Sequence, residues 1–200
     1  MRWRVLWPSV TSGHRSGGGV DVPLPEPSSR TPIHHRQIDI CGYRRDDGLW
    51  DIEGHLSDRR SVSLEFPDGT RPAGAPIHSM WVRLSVDSTA LIVAACAATD
   101  ASPYTGVCGA IVPSYERLVG LRVGPGFLGH VRRLFAGTSG CTHLSELVGT
   151  MATGVIQTLA GDGWSSNEHK PFQIDRCHAL NSAGPVVARH YPKWYRKPLS

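Results

Sequence analysis

The sequence predicts an α+β fold, an antiparallel β-sheet of two or more hairpins followed by helices packed on one face. Three observations predict it. Two stretches between residues 36 and 97 alternate apolar and polar side chains in pairs of short runs. One long stretch, residues 139–160, repeats its apolar residues every three to four positions. All the strand-like runs precede the helical ones, which is the order of α+β chains rather than of alternating α/β chains.

Residues 1–32 are rich in Gly, Ser and Pro and lack periodicity, so a disordered tail is expected there and a single domain over 33–200. The opening MRWRVLWPSV has basic residues, but its apolar run is short and broken by Pro8, which does not make a secretion signal. From Arg36 the chain alternates through Ile38, Ile40 and Gly42, then Leu49, Ile52, Gly54 and Leu56. Asp47-Gly48 between the runs is a turn signal, so this is a β-hairpin. Val62–Phe66 reads as a third short strand, closed by Pro67-Asp68-Gly69. A second long hairpin follows. Met80, Val82, Leu84 and Val86 alternate with polar residues, Asp87-Ser88 turns the chain, and Leu91, Val93 and Ala95 return. His78 falls at its start and Asp100 just past its end, so the two lie at the same open end of the hairpin.

Helical patterns begin after Pro103. Residues 112–121 and 127–135 read as two short helices separated by Gly124-Pro125-Gly126. The third and longest carries Leu144, Leu147, Val148, Met151, Val155, Ile156 and Leu159 as one stripe. Cys141 and His143 stand at its start, where the helix dipole favours a thiolate. From Gly161 the chain is polar and loop-like, ending in a segment with Asp175, Cys177, His178 and an aromatic, basic tail.

The net charge is +4, and part of it sits in the ends: Arg2, Arg4, Arg15 and Arg30, then Lys193, Arg196 and Lys197. No basic stripe interleaves with aromatics, so a nucleic-acid partner is not expected. No apolar run approaches the ~18 residues of a membrane helix. The five cysteines, 41, 96, 108, 141 and 177, are odd in number and form no Cys-x-x-Cys pair. A cytoplasmic protein with free or metal-bound thiols is the expectation.

The ligand-type residues gather after the sheet: Asp100, Cys108, Cys141, His143, Asp175, Cys177 and His178. Cys141-x-His143 and Cys177-His178 suit zinc or iron. Buried apolar cysteines with surface histidines are the competing reading. His78, Asp100 and His178 are the candidate acid/base groups. His55 and Asp58, in the GHLSD segment, read as loop residues. LVGLRVGPGF lacks the Lys-Ser/Thr of a phosphate loop, and no Gly-x-Ser-x-Gly elbow is present. Arg122, beside that glycine-rich turn, can grip a carboxylate or stand exposed.

The segments CGYRRDDGLWDIEGHLSD, PIHSMWVRL, AATDASPY, LVGLRVGPGF, GCTHLSELVGTMAT and DRCHAL…GPVVARHYPKWY resemble, in order, the bacterial family called domain of unknown function 2889, over about residues 33–196. The family name implies no activity. A fold-level likeness to iron–sulfur scaffolds of the NifU N-terminal type matches Asp100 and Cys141 to ligand positions and Cys108 loosely, although the scaffold's Gly-Cys is replaced by Thr99-Asp100. Three functions are therefore open. One is a metal-dependent enzyme, of lyase or decarboxylase type, acting on an organic acid or aromatic-derived small molecule. The second is a metal- or cluster-carrying accessory protein. The third is an interaction module with no chemistry, whose tail, residues 191–196, wraps its own core or a partner, with a homo-oligomer as one arrangement.

Overall fold

The computed structural model describes residues 24, 25, 27–160, 170, 171 and 173–197. The fold is that of the unit Ile33–Ser200. The tail read over residues 1–32 lies mostly outside the described residues, as does the polar loop over 161–169. The described residues before Ile33 carry no helix or strand.

The main sheet has four strands: β1 (His34–Arg44), β2 (Trp50–Arg60), β5 (Pro76–Val86) and β6 (Ile92–Ala101). A two-stranded flap, β3 (Leu64–Phe66) and β4 (Gly69–Arg71), is inserted between the two long hairpins. The sheet order is β1-β2-β5-β6, antiparallel throughout. Both predicted hairpins form, and the short strand becomes one arm of the flap.

Alternation decides which face is buried. Ile52, Leu56, Met80, Val82, Leu84 and Val86 point to one side and are almost fully buried. Against them lies α3 (Thr142–Ala160), whose buried residues are Leu144, Leu147, Val148, Met151, Val155 and Leu159. Each such side chain contributes about 1.5–3 kcal/mol when fully buried. Ile156, at the margin of the stripe, is only partly buried. Helix and sheet approach closely because glycines stand where they meet. A Cβ on Gly54 would sit 2.7 Å from Met151 Sδ, and one on Gly154 would sit 2.5 Å from Ile40 Cγ2.

Three earlier helical segments pack on the sheet or on α3, the first two against β6 and the last against α3. They are α1 (Val107–Ala110), a 3-10 helix Val112–Leu118, and α2 (Phe127–Leu134). The helix expected over 112–121 is thus shorter and tighter. Its end is pulled straight by β-type bonds, Ile92 N–H to Leu121 O and Gly120 N–H to Ile92 O, both 2.9 Å. Arg122 is held by that loop, donating to Thr89 O. A short α4 (Pro185–His190) follows the segment after residue 170. Among the described residues, no helix is long and apolar enough to cross a membrane.

Candidate metal centre

One rung of the sheet carries three functional side chains in line. The register sets Arg36 on β1 opposite Asp58 on β2, and Asp58 opposite His78 on β5. All three share the parity of the core residues, so they face α3. At this end of the sheet the apolar rungs give way to charge. The start of α3 completes the layer, with His143 on its first turn and Glu146 just beyond it.

Asp58 is the hub, with only 3% of its surface exposed. An ionised carboxylate has about four acceptor positions, and four N–H groups occupy them. Arg36 Nε and His34 Nε2 lie 2.8 and 2.9 Å from Oδ1. Arg36 Nη2 and His78 Nδ1 lie 2.7 and 3.1 Å from Oδ2. The Arg36 fork is bidentate, which fixes the carboxylate plane. Its remaining arm donates to Glu146. His143 Nε2 approaches Oδ2 at 3.6 Å, and its ring stacks on that of His78, centroids 3.7 Å apart and planes 29° from parallel.

The electrostatics follow from this packing. Burial disfavours the charged form of Asp58, but the hydrogen bonds from Arg36 and His34 outweigh it and hold the carboxyl at about 2, below its usual 3.8. Burial lowers His78 against the pull of Asp58. Burial also lowers His143, and the neighbouring His78 and Arg36 add to the effect. The site therefore offers one firmly ionised carboxylate and two imidazoles that favour the neutral, lone-pair form. One donor atom from each of Asp58, His78 and His143 lies within 4.8 Å of the others.

The start of α3 is fixed by Tyr115. Its fully buried ring stacks on Phe135. Its hydroxyl accepts from Cys141 N–H at 3.0 Å and lies 2.9 Å from Cys141 O and 2.8 Å from Ser145 Oγ. With one hydrogen donated and two accepted, the phenol is saturated and anchors the residue two places before His143.

The structure brings together only some of the residues singled out from the sequence. His78 and His143 meet at Asp58. Cys141 Sγ lies beside them, 3.9 Å from His143 Nδ1 and 3.9 Å from Met80 Sδ, but outside the group of converging donors. Asp100 does lie at the same hairpin end as His78. It projects from the opposite face, where Trp81 Nε1 donates to it at 2.8 Å and Trp81 stacks on His55. Cys177 and His178 are exposed, in and beside a 3-10 turn that packs on α4, and neither joins the group. Asp58 and His55 are not loop residues. The alternation Ile52, Gly54, Leu56 simply continues for one more step and carries Asp58 inward, which was the available signal in the sequence. The alternation of Ile40 and Ile38, carried back along β1, points Arg36 and His34 to the same face, whereas Glu146 had no such signal, since a charged side chain on a helix is ordinarily solvated.

A family model described as protein of unknown function (DUF2889) matches residues 34–157, more than half of the chain. It spans β1 to most of α3 and so includes every residue of the centre. No curated protein and no solved structure matches, so the likeness to NifU-type scaffolds stands without support.

Proposed function

The chain belongs to the DUF2889 family, whose description assigns no activity, and from the site itself we propose that it is a metal-dependent small-molecule enzyme whose divalent ion, zinc or ferrous iron, is held by Asp58, His78 and His143. The observation that carries this reading is the convergence of one carboxylate oxygen and two ring nitrogens within 4.8 Å. Ligands ~2.0–2.1 Å from an ion stand about 3–3.4 Å from one another. Of the distances from Asp58 Oδ2 to the two histidines, 3.1 Å falls within that spacing and 3.6 Å just above it. Two imidazoles and one carboxylate leave positions open, the pattern of catalytic rather than structural sites.

An ion bound there supplies Lewis acidity toward an oxygen of the substrate. The chain's own groups do the rest. Arg36 orients Asp58, and Glu146 holds Arg36. His78 would hold the ion through Nδ1 with its hydrogen on Nε2. His34 lends Nε2 to Asp58 while its ring stays 39% exposed, so its Nδ1 is the atom placed to accept a proton from a bound molecule. A lyase or decarboxylase acting on a small organic acid needs such a site, with one electron sink and one proton-moving group.

Equilibrium dialysis of the full chain against zinc, or anaerobically against ferrous iron, tests the proposal. About one ion per chain is expected, lost in Asp58→Asn, His78→Gln and His143→Gln and kept in Cys141→Ser and Cys177→Ser. No uptake, or loss only in the cysteine variants, contradicts it. One observation favours a second reading. Four donors saturate Asp58, which places a hydrogen on His78 Nδ1 and leaves Nε2 as a metal-free base. Nitrogen NMR separates the two, since this reading predicts a His78 signal unchanged by zinc.

A further inference from the structure

A groove of about 500 Å³ runs between α2 and α3. Its walls include Leu128, Val131, Phe135 and Gly149, with Arg132 and Glu146 as its charged members. The volume is that of a small-molecule site, and a mostly apolar lining with few charged groups is what such sites present. The polar members have occupations that decide the chemistry. Ser145 is engaged by Tyr115, and Thr150 Oγ1 donates to Glu146 O at 3.0 Å. The Glu146 carboxylate is paired with Arg36, a guanidinium it shares with Asp58. Arg132 has no hydrogen bond or ion pair among the described residues. Of the two charged side chains, Glu146 is tied to Arg36 and the Arg132 guanidinium is the one without a partner among the described residues, beside an apolar wall.

We infer that this groove binds a small organic anion with an apolar body, an aromatic or branched-chain carboxylate, with its charged end on Arg132 and its body against Leu128, Val131 and Phe135. A guanidinium matches a carboxylate bidentately, and beside an apolar wall it discriminates strongly against a neutral analogue. The missing side chain at Gly149 keeps the floor open. A Cβ there would rest 3.6 Å from Leu128 Cδ2, so any longer side chain projects into the groove. The site stands independently of the metal reading. Glu146 nevertheless ties the two, because the same residue lines the groove and grips the arginine that orients Asp58. A plainer role for Arg132 is to offset the dipole at the end of α2, where it lies in the last turn with Arg133.

The test is calorimetric titration of the full chain, in EDTA so that metal plays no part, with benzoate, 2-naphthoate and 4-methylpentanoate, and with 2-naphthalenemethanol as the neutral control. At least one carboxylate is expected to bind one-to-one with a dissociation constant below 1 mM, at least tenfold tighter than the alcohol. Arg132→Gln should weaken it tenfold or more, and Gly149→Leu should abolish it. Leu128→Asp, a change at a position already 46% exposed, should also weaken it, and it serves should Gly149→Leu misfold. The inference is overturned if no carboxylate binds below 1 mM, if the alcohol binds within tenfold of the tightest carboxylate, or if Arg132→Gln binds within tenfold of the wild type.

Discussion

Replacing Asp58 by asparagine removes one charge and almost no volume, so the loss reads the electrostatics of the centre. A carboxyl held at about 2 instead of 3.8 stabilises the ionised fold by about 2.5 kcal/mol. The amide adds a second cost. Its NH₂ must face donors that Asp58 now satisfies, leaving at least one buried N–H without an acceptor, about 1–3 kcal/mol. Together Asp58→Asn should lose about 3.5–5.5 kcal/mol at pH 7, close to the ~3–5 kcal/mol for breaking one side of a buried pair. The pH dependence carries the sign. A depressed carboxyl stabilises the fold above its unfolded pKa and ceases to do so as pH falls through the folded one. The gap between wild type and variant should therefore be full above about pH 5 and shrink between about pH 4 and 2. Urea denaturation in EDTA across that range measures it. A loss below about 1 kcal/mol at pH 7, or a gap that does not change with pH, would refute the reasoning.

The glycines of α3 give a paired test by urea midpoints. Gly149→Ala should stabilise by about 0.5–1 kcal/mol, since its Cβ meets only an ordinary contact and alanine is the better helix former. Gly154→Ala has the same propensity gain but drives a Cβ to 2.5 Å from Ile40, so a net loss of about 1–2 kcal/mol is expected. Tyr115→Phe should cost about 1–2 kcal/mol through the unpaired Cys141 N–H. It should also weaken zinc binding several-fold, because it frees the segment that positions His143; dialysis checks the second effect.

Much of this architecture can be read from side-chain period. The two hairpins and the apolar stripe from Leu144 to Leu159 follow from alternation and from helical spacing, because burial of one face enforces both. The same rule, carried one residue further along β2, points Asp58 into the core, and carried along β5 it points His78 the same way. It also sends Asp100 to the other face, which proximity along a hairpin end cannot reveal. The centre joins residues 34, 36, 58, 78, 143 and 146, contributed by three strands and a helix. Their meeting depends on the sheet register and on how α3 crosses it, and neither leaves a local pattern. Cysteines at 141 and 177 stand out in a sequence by chemical type. Their position is set by packing, which leaves Cys141 against Met80 and Cys177 at the surface.

X-ray absorption on the zinc-loaded full chain tests the central claim most directly, because it reports the ligand atoms themselves. The account predicts a first shell of nitrogen and oxygen at ~2.0–2.1 Å, with the outer-shell scattering of two imidazoles and no sulfur. His143→Gln should remove one imidazole or the ion altogether. A sulfur shell at ~2.3 Å, or a chain that cannot be loaded with zinc, would contradict it.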